Sequence, residues 1–145
     1  MILKDYTLLS DGEIDIQILN KSNGDKEKGR CPEYKFQILI HSSQTIIGHI
    51  NLRFGNDDKI LNYIGHIGYG INENFRGNKY SQKACELVKR VLIDHDINKV
   101  IITCNPDNFA SIRICEELGA ELLEIVDTKI YSETEPYKCK YEWMF

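Results

Sequence analysis

Residues 64–120 switch hydrophobic period three times, and the resulting order of elements leaves few folds open to the chain. Residues 61–71 read as a strand that carries Gly65, Gly68 and Gly70, although glycine is a poor strand residue. From residue 79 to 95, Ala84, Leu87, Val88, Val91 and Leu92 recur at spacings of three and four, which predicts an amphipathic helix. Residues 99–104 are nearly all apolar, as in a strand covered on both faces. Asn105 then suits an N-cap and Pro106 the first helical position, with the helix ending at Leu118 and Gly119 closing it. Strand, helix, strand, helix in that order calls for a right-handed crossover.

The residues before this segment alternate at period two. Residues 14–19, 34–41 and 45–53 predict strands, the last two joined by Ser42, Ser43 and Gln44 as a hairpin. Residues 20–32 are polar and hold Gly24, Gly29 and Pro32, so they read as a mobile loop. Residues 121–126 and 137–144 supply closing strands. Four or five successive strands imply an antiparallel meander. The fold class expected is α+β, a mixed α/β sandwich. Its central sheet is mostly antiparallel and twisted, with about six or seven strands flanked by helices, in one domain over residues 1–145.

Composition narrows the classes. A net charge of -4 and a pI near 5.6 disfavour a nucleic-acid binder. No apolar run approaches the roughly 18–20 residues of a spanning helix, and the first residues lack a secretory pattern. The five cysteines at 31, 85, 104, 115 and 139 form no CxxC pair, so no metal is expected and a reducing cytoplasm is.

The turn at residues 76–81 carries the chemistry. Gly77 permits positive φ, and the amides of Asn78, Lys79, Tyr80 and Ser81 open the following helix. Such amides, aided by the helix dipole and by Arg76 and Lys79, can hold a pyrophosphate. The strand glycines fit either tight packing or an extended ligand lying against the backbone, such as pantetheine. The acidic side chains of Asp11, Glu13, Asp25, Glu27 and Glu33 could attract a cation or form an ordinary solvated surface.

Arg76-Gly77-Asn78-Lys79-Tyr80-Ser81 resembles the phosphate motif [Q/R]-x-x-G-x-[G/A] of the GNAT superfamily of acyl-CoA-dependent N-acyltransferases. Lys79 stands where glycine is usual, and Ser81 where glycine or alanine is usual. Asn105-x-x-Asn108-x-x-Ser111, followed by Glu116-Glu117-Leu118-Gly119, resembles the family segment after the fifth strand. The resemblance implies an N-acetyltransferase that moves an acetyl group from acetyl-CoA directly to a primary amine. Backbone near Tyr69, Gly70 and Ile71 would bind the acyl and pantetheine part, residues 76–81 the pyrophosphate, and Asn105, Asn108 and Ser111 the cofactor arm. Asn105 would also serve in the transfer step. His66 is the candidate base, and Cys115 stands where family members use a tyrosine as thiolate donor. Tyr137 and Tyr141 are its possible substitutes. The polar stretch at 20–32 is too short for the two helices that usually wall the acceptor site. The acceptor would be a small molecule or a peptide or protein amine, with no nucleic acid or membrane partner and a possible homodimer. The alternative is a non-catalytic CoA-binding relative, acting as a sensor or interaction module.

Overall fold

The computed structural model describes residues 1–145. Contacts divide the chain into two compact units, Met1–Phe54 with Gly68–Ile97, and Gly55–Ile67 with Asn98–Phe145.

In the first sheet β1 (Leu9–Ser10), β2 (Ile14–Ser22), β3 (Glu33–Ile40), β4 (Ile46–Arg53) and β5 (Ile67–Ile71) lie side by side in chain order. This is the expected meander, antiparallel from β1 to β4. Ile14 faces Ile40, Ile16 faces Ile38 and Ile18 faces Phe36. Alternation at period two therefore puts Ile14, Ile16, Phe36 and Ile38 into the core. A register shift between Ile38 and Leu39 adds one residue to the pattern, so the buried positions of β4 step from Ile47 to Ile50 and Leu52. Helix α1 (Tyr80–Asp94) packs against β2 and β4 and buries Ala84, Leu87, Val88, Val91 and Leu92. Each buried Leu or Val there contributes about 1.5–3 kcal/mol.

Residues 20–32 differ from the mobile loop expected of them. Strand β2 continues to Ser22, and an Asp25–Arg30 bridge closes a short 3-10 turn at Lys26–Lys28. The Asp25 carboxylate accepts from the amides of Glu27 and Lys28, and Gly29 takes φ 67°. The polar residues that read as a loop are therefore the caps of an ordered hairpin end. No α-helix intervenes between β2 and β3.

The second unit holds a three-stranded antiparallel sheet in the order β6 (Lys99–Cys104), β8 (Tyr137–Met144), β7 (Glu121–Asp127). Val100, Ile102 and Cys104 oppose Trp143, Tyr141 and Cys139, and all six are buried. Helix α2 (Phe109–Glu117) lies against β6. The eight strands thus group as five and three.

Two boundaries move. Residues 61–66 do not belong to a strand: Ile60–Ile64 form a single π turn. The Ile60 amide donates to Asp57 Oδ1 at 2.9 Å, and the Gly65 amide reaches back to the Ile60 carbonyl at 2.7 Å. Gly65 takes φ 71°, and a Cβ there would come within 3.0 Å of the Ile101 carbonyl oxygen. An apolar run fits a strand or a buried helical turn equally well, and here the Asp57 cap and Gly65 decide. Helix α2 likewise starts later than expected. Its N-cap is Asn108, whose Oδ1 accepts from the Ser111 amide at 3.2 Å, while Asn105 and Pro106 belong to the turn before it.

Candidate active site

The first unit contains the turn singled out by sequence. Strand β5 ends at Ile71, and a 3-10 turn at Glu73–Phe75 leads to Arg76. Arg76 Nε donates to the Ile71 carbonyl at 3.0 Å, which ties the turn to the end of β5. Gly77 has φ 85° with open space where a Cβ would stand. Asn78 Nδ2 donates to the Phe75 carbonyl at 3.2 Å. Lys79 is the N-cap of α1 at φ 61°, ψ 22°, left-handed and without a side-chain cap bond. The backbone at Lys79 therefore adopts the conformation that glycine, the usual residue there, takes most readily.

No acidic residue lies in the first turn of α1. The opening amides of an α-helix have no intrahelical acceptor. With no side chain capping them, those of Tyr80, Ser81 and Gln82 form an electropositive helix end. Such an end can hold phosphate oxygens, with Arg76 and Lys79 beside it in sequence. Sequence reasoning missed Gln82, whose Oε1 is buried without a hydrogen-bond partner. It lies in the first turn of α1.

The strand glycines have packing reasons. A Cβ at Gly48 would clash with the Gly70 carbonyl oxygen, so β4 and β5 approach closely at that point. A Cβ at Gly70 would meet the His49 ring at 2.8 Å, and one at Gly68 the Arg53 guanidinium at 3.3 Å. Tyr69, Gly70 and Ile71 thus lie on a strand crowded by β4.

The other sequence candidates fall in the second unit. Both ring nitrogens of His66 are engaged by backbone. Nδ1 accepts from the Ile101 amide at 2.8 Å, and Nε2 donates to the Gly55 carbonyl at 2.8 Å. That pattern sets a neutral imidazole with its proton on Nε2 and fastens residue 66 to β6. Asn105 Oδ1 is buried and unpaired, while the Asn105 side chain also hydrogen-bonds Glu135. Glu135 accepts from Lys138 Nζ at 2.6 Å and from the Tyr63 hydroxyl at 3.1 Å. These partners, Lys138 foremost, hold its carboxyl below the usual range. Tyr63 and Glu135 were not legible as neighbours of Asn105, because residue spacing gives no hint of that meeting.

Cys115 is fully buried and lies against the Cys104 thiol. Tyr141 is buried, which pushes its phenol up, whereas Tyr137 is exposed and accepts from Lys129 Nζ at 3.1 Å. The acidic residues near the N-terminus mostly serve local structure. Asp11 accepts from the amides of Glu13 and Ile14, Glu13 pairs with Lys83, Asp25 caps its turn, and Glu33 lies 3.7 Å from Lys35.

A sheet of five strands in chain order, whose glycine-bearing last strand β5 leads to an α1 start without a side-chain cap, defines an α+β protein. The chain belongs to the GNAT acetyltransferase family: residues 9–121 match the family model described as an acetyltransferase (GNAT) domain. It is 24% identical over 106 residues to the uncharacterised N-acetyltransferase YnaD of Bacillus subtilis strain 168, covering 70% of this chain and 54% of that protein. The fold is shared with RimL, a ribosomal L7/L12 alpha-N-protein acetyltransferase, in its apo crystal form 2. The TM-score there is 0.68 at 14% identity, over 94% of this chain and 95% of that one. It is also shared with the microcin C7 self-immunity acetyltransferase MccE in complex with acetyl-CoA and AMP, at TM-score 0.63 and 19% identity, over 78% and 61% of the two chains. The chain thus spans about half the length of its curated relative. None of its helices is long and apolar enough to cross a membrane.

Proposed function

We propose that this chain, acting as one domain over residues 1–145, transfers an acetyl group from acetyl-CoA directly to a primary amine. The observation that carries the reading is Lys79 at left-handed φ after Gly77, opening an uncapped α1 inside a GNAT family match. The turn suits a pyrophosphate: it leads into an α1 start with no side-chain cap and no acidic residue in its first turn, and carries Arg76 and Lys79. Acetyl-CoA would supply an activated thioester. Residues 76–81 would anchor its phosphates, and the backbone of Tyr69, Gly70 and Ile71 would align the arm. By the family resemblance, Asn105, Asn108 and Ser111 would also serve the cofactor arm. The amine must lose a proton as it attacks. His66 is poorly disposed to take it, since both its nitrogens already have backbone partners.

The acceptor is a small-molecule amine or a peptide or protein amine. The fold shared with RimL, an alpha-N-protein acetyltransferase, favours the second. A cytoplasmic enzyme, free of nucleic acid and membrane, and able to form a homodimer, completes the reading. Calorimetric titration with acetyl-CoA and CoA, followed by a mass-spectrometric screen of amines and peptide N-termini for acetylated product, tests it. Absence of CoA binding at millimolar concentration would refute it. A second reading is a CoA-binding protein without transfer. It is favoured by Cys115, which stands at the position of the family's tyrosine yet is enclosed among other thiols. Binding without acetylated product across the panel would select it.

A further inference from the structure

Three cysteine thiols converge in the second unit. Cys104 lies directly opposite Cys139 across the antiparallel β6–β8 pair, and α2 brings Cys115 to the same place. The Cys104 thiol is within hydrogen-bonding reach of both others. Cys104 and Cys139 are each 5% exposed and Cys115 is 0% exposed. The trio does not have the arrangement of a metal site, which leaves the chemistry of sulfur itself. Directly opposed residues of antiparallel strands have Cα atoms about 4.5–5.5 Å apart. Disulfides span Cα separations of about 4.4–6.8 Å. The Cys104–Cys139 register thus meets the Cα-separation requirement of a disulfide.

We propose that Cys104 and Cys139 are a modification site, closing to a reversible cross-strand disulfide when the protein meets hydrogen peroxide. The Cys104 thiolate attacks one peroxide oxygen and the O–O bond breaks. The departing hydroxide takes a proton to become water, and Cys104 is left as a sulfenic acid. The Cys139 sulfur then attacks the Cys104 sulfur as it loses its own proton. The S–O bond breaks, and the second hydroxide leaves as water with that proton. Two thiols give up two electrons, and the peroxide accepts them.

Cys104 is the starting sulfur for a physical reason. A hydrogen bond from the Cys115 thiol and the nearby Lys138 ammonium favour its thiolate, against the opposing effect of burial. Cys139 is pushed the other way by its own burial. It suits the role of resolving thiol because the strand register holds it opposite Cys104. Peroxide is small, as an oxidant for a nearly enclosed trio must be. The bond would fix the end of β6 directly before Asn105, the residue with the unpaired Oδ1.

Tryptic digestion separates the three sulfurs, with Cys104 in residues 100–113, Cys115 in 114–129 and Cys139 in 139–140. Native protein is treated with peroxide, alkylated, digested and analysed by mass spectrometry. The expected product joins 100–113 to 139–140, lowers the titratable thiols from five to three, and reverts with dithiothreitol. A link to 114–129 instead would overturn the proposal. So would an unmodified Cys104 in a sample where the more exposed Cys31 has been oxidised. In folded Cys139→Ser, dimedone should label Cys104, and failure to label it would count equally against the proposal. Should that variant not fold, the wild-type peptide map decides alone.

Discussion

At Lys79 the chain departs from its family's usual glycine yet keeps the left-handed backbone that glycine serves. A side chain with a Cβ at that φ costs roughly 1–2 kcal/mol, partly offset by the greater unfolded freedom of glycine. Lys79→Gly should therefore raise stability by up to about 1 kcal/mol, read as a higher denaturant midpoint. It should also weaken acetyl-CoA binding modestly through the lost cation. A fall in stability would show that the lysine side chain outweighs the backbone cost. Gly77→Ala tests the same turn without a clash, because space is open at its Cβ. The loss should be about 1–2 kcal/mol from φ alone. His66 offers a contrast. His66→Ala removes the acceptor of the Ile101 amide and the donor to Gly55, and should cost about 1–3 kcal/mol. The pH profile of amine acetylation should keep its shape in that variant. Loss of one limb of the profile would instead restore His66 as the base.

Among the elements, the start of helix α2 allows capping to be tested apart from the proposed binding. Asn108→Ala removes the bond to the Ser111 amide and should lower stability by about 1 kcal/mol. Asn105→Ala, one turn earlier, should cost less in stability and more in acetyl-CoA affinity by titration. Equal stability losses in the two variants would contradict this division. The elements also show what sequence could and could not reveal. Strands β2, β3 and β4 and helix α1 were legible because one face of each is buried, and burial imposes a period of two or 3.6. Their ends were set by other forces. The start of the strand expected at 61–71 was lost to a π turn. That turn is fixed by the Asp57 cap and the Gly65 backbone, neither of which alters the apolar pattern. Of two asparagines three residues apart, both chemically fit to cap α2, Asn108 is the one that caps it. The phosphate-type turn was legible because its conformation is written in local residues, Gly77 above all. The partners of His66 and Asn105 come from segments distant in sequence, which no spacing rule reports.

At the scale of the whole molecule, an acidic chain with net charge -4 depends on carboxylates held in their ionised form. Asp15 is the most enclosed of them, at 0% exposure. Burial alone would raise its pKa, but hydrogen bonds from Ser10, Gln44 and His41 prevail and hold it below the usual range. The Gln44 and His41 contacts are each 2.8 Å. Asp94 in the same unit, and Asp127 and Glu135 in the other, are depressed in the same direction. A carboxyl with a lower pKa in the folded state binds fewer protons there than in the unfolded chain. Its contribution is complete above the unfolded value, near about 4. It declines as pH drops through the folded value, so the protein should lose stability steadily on acidification below that point. Asp15→Asn should lower stability at neutral pH, because the amide cannot accept from His41 and Gln44 as the carboxylate does. Below pH ~4 the variant should follow a shallower slope than wild type, since one of the protons taken up on unfolding is gone. Melting temperatures of both proteins across the acid range would decide it. Parallel curves would mean that Asp15 titrates alike in the folded and unfolded chains, and that its hydrogen bonds do no more than offset its burial.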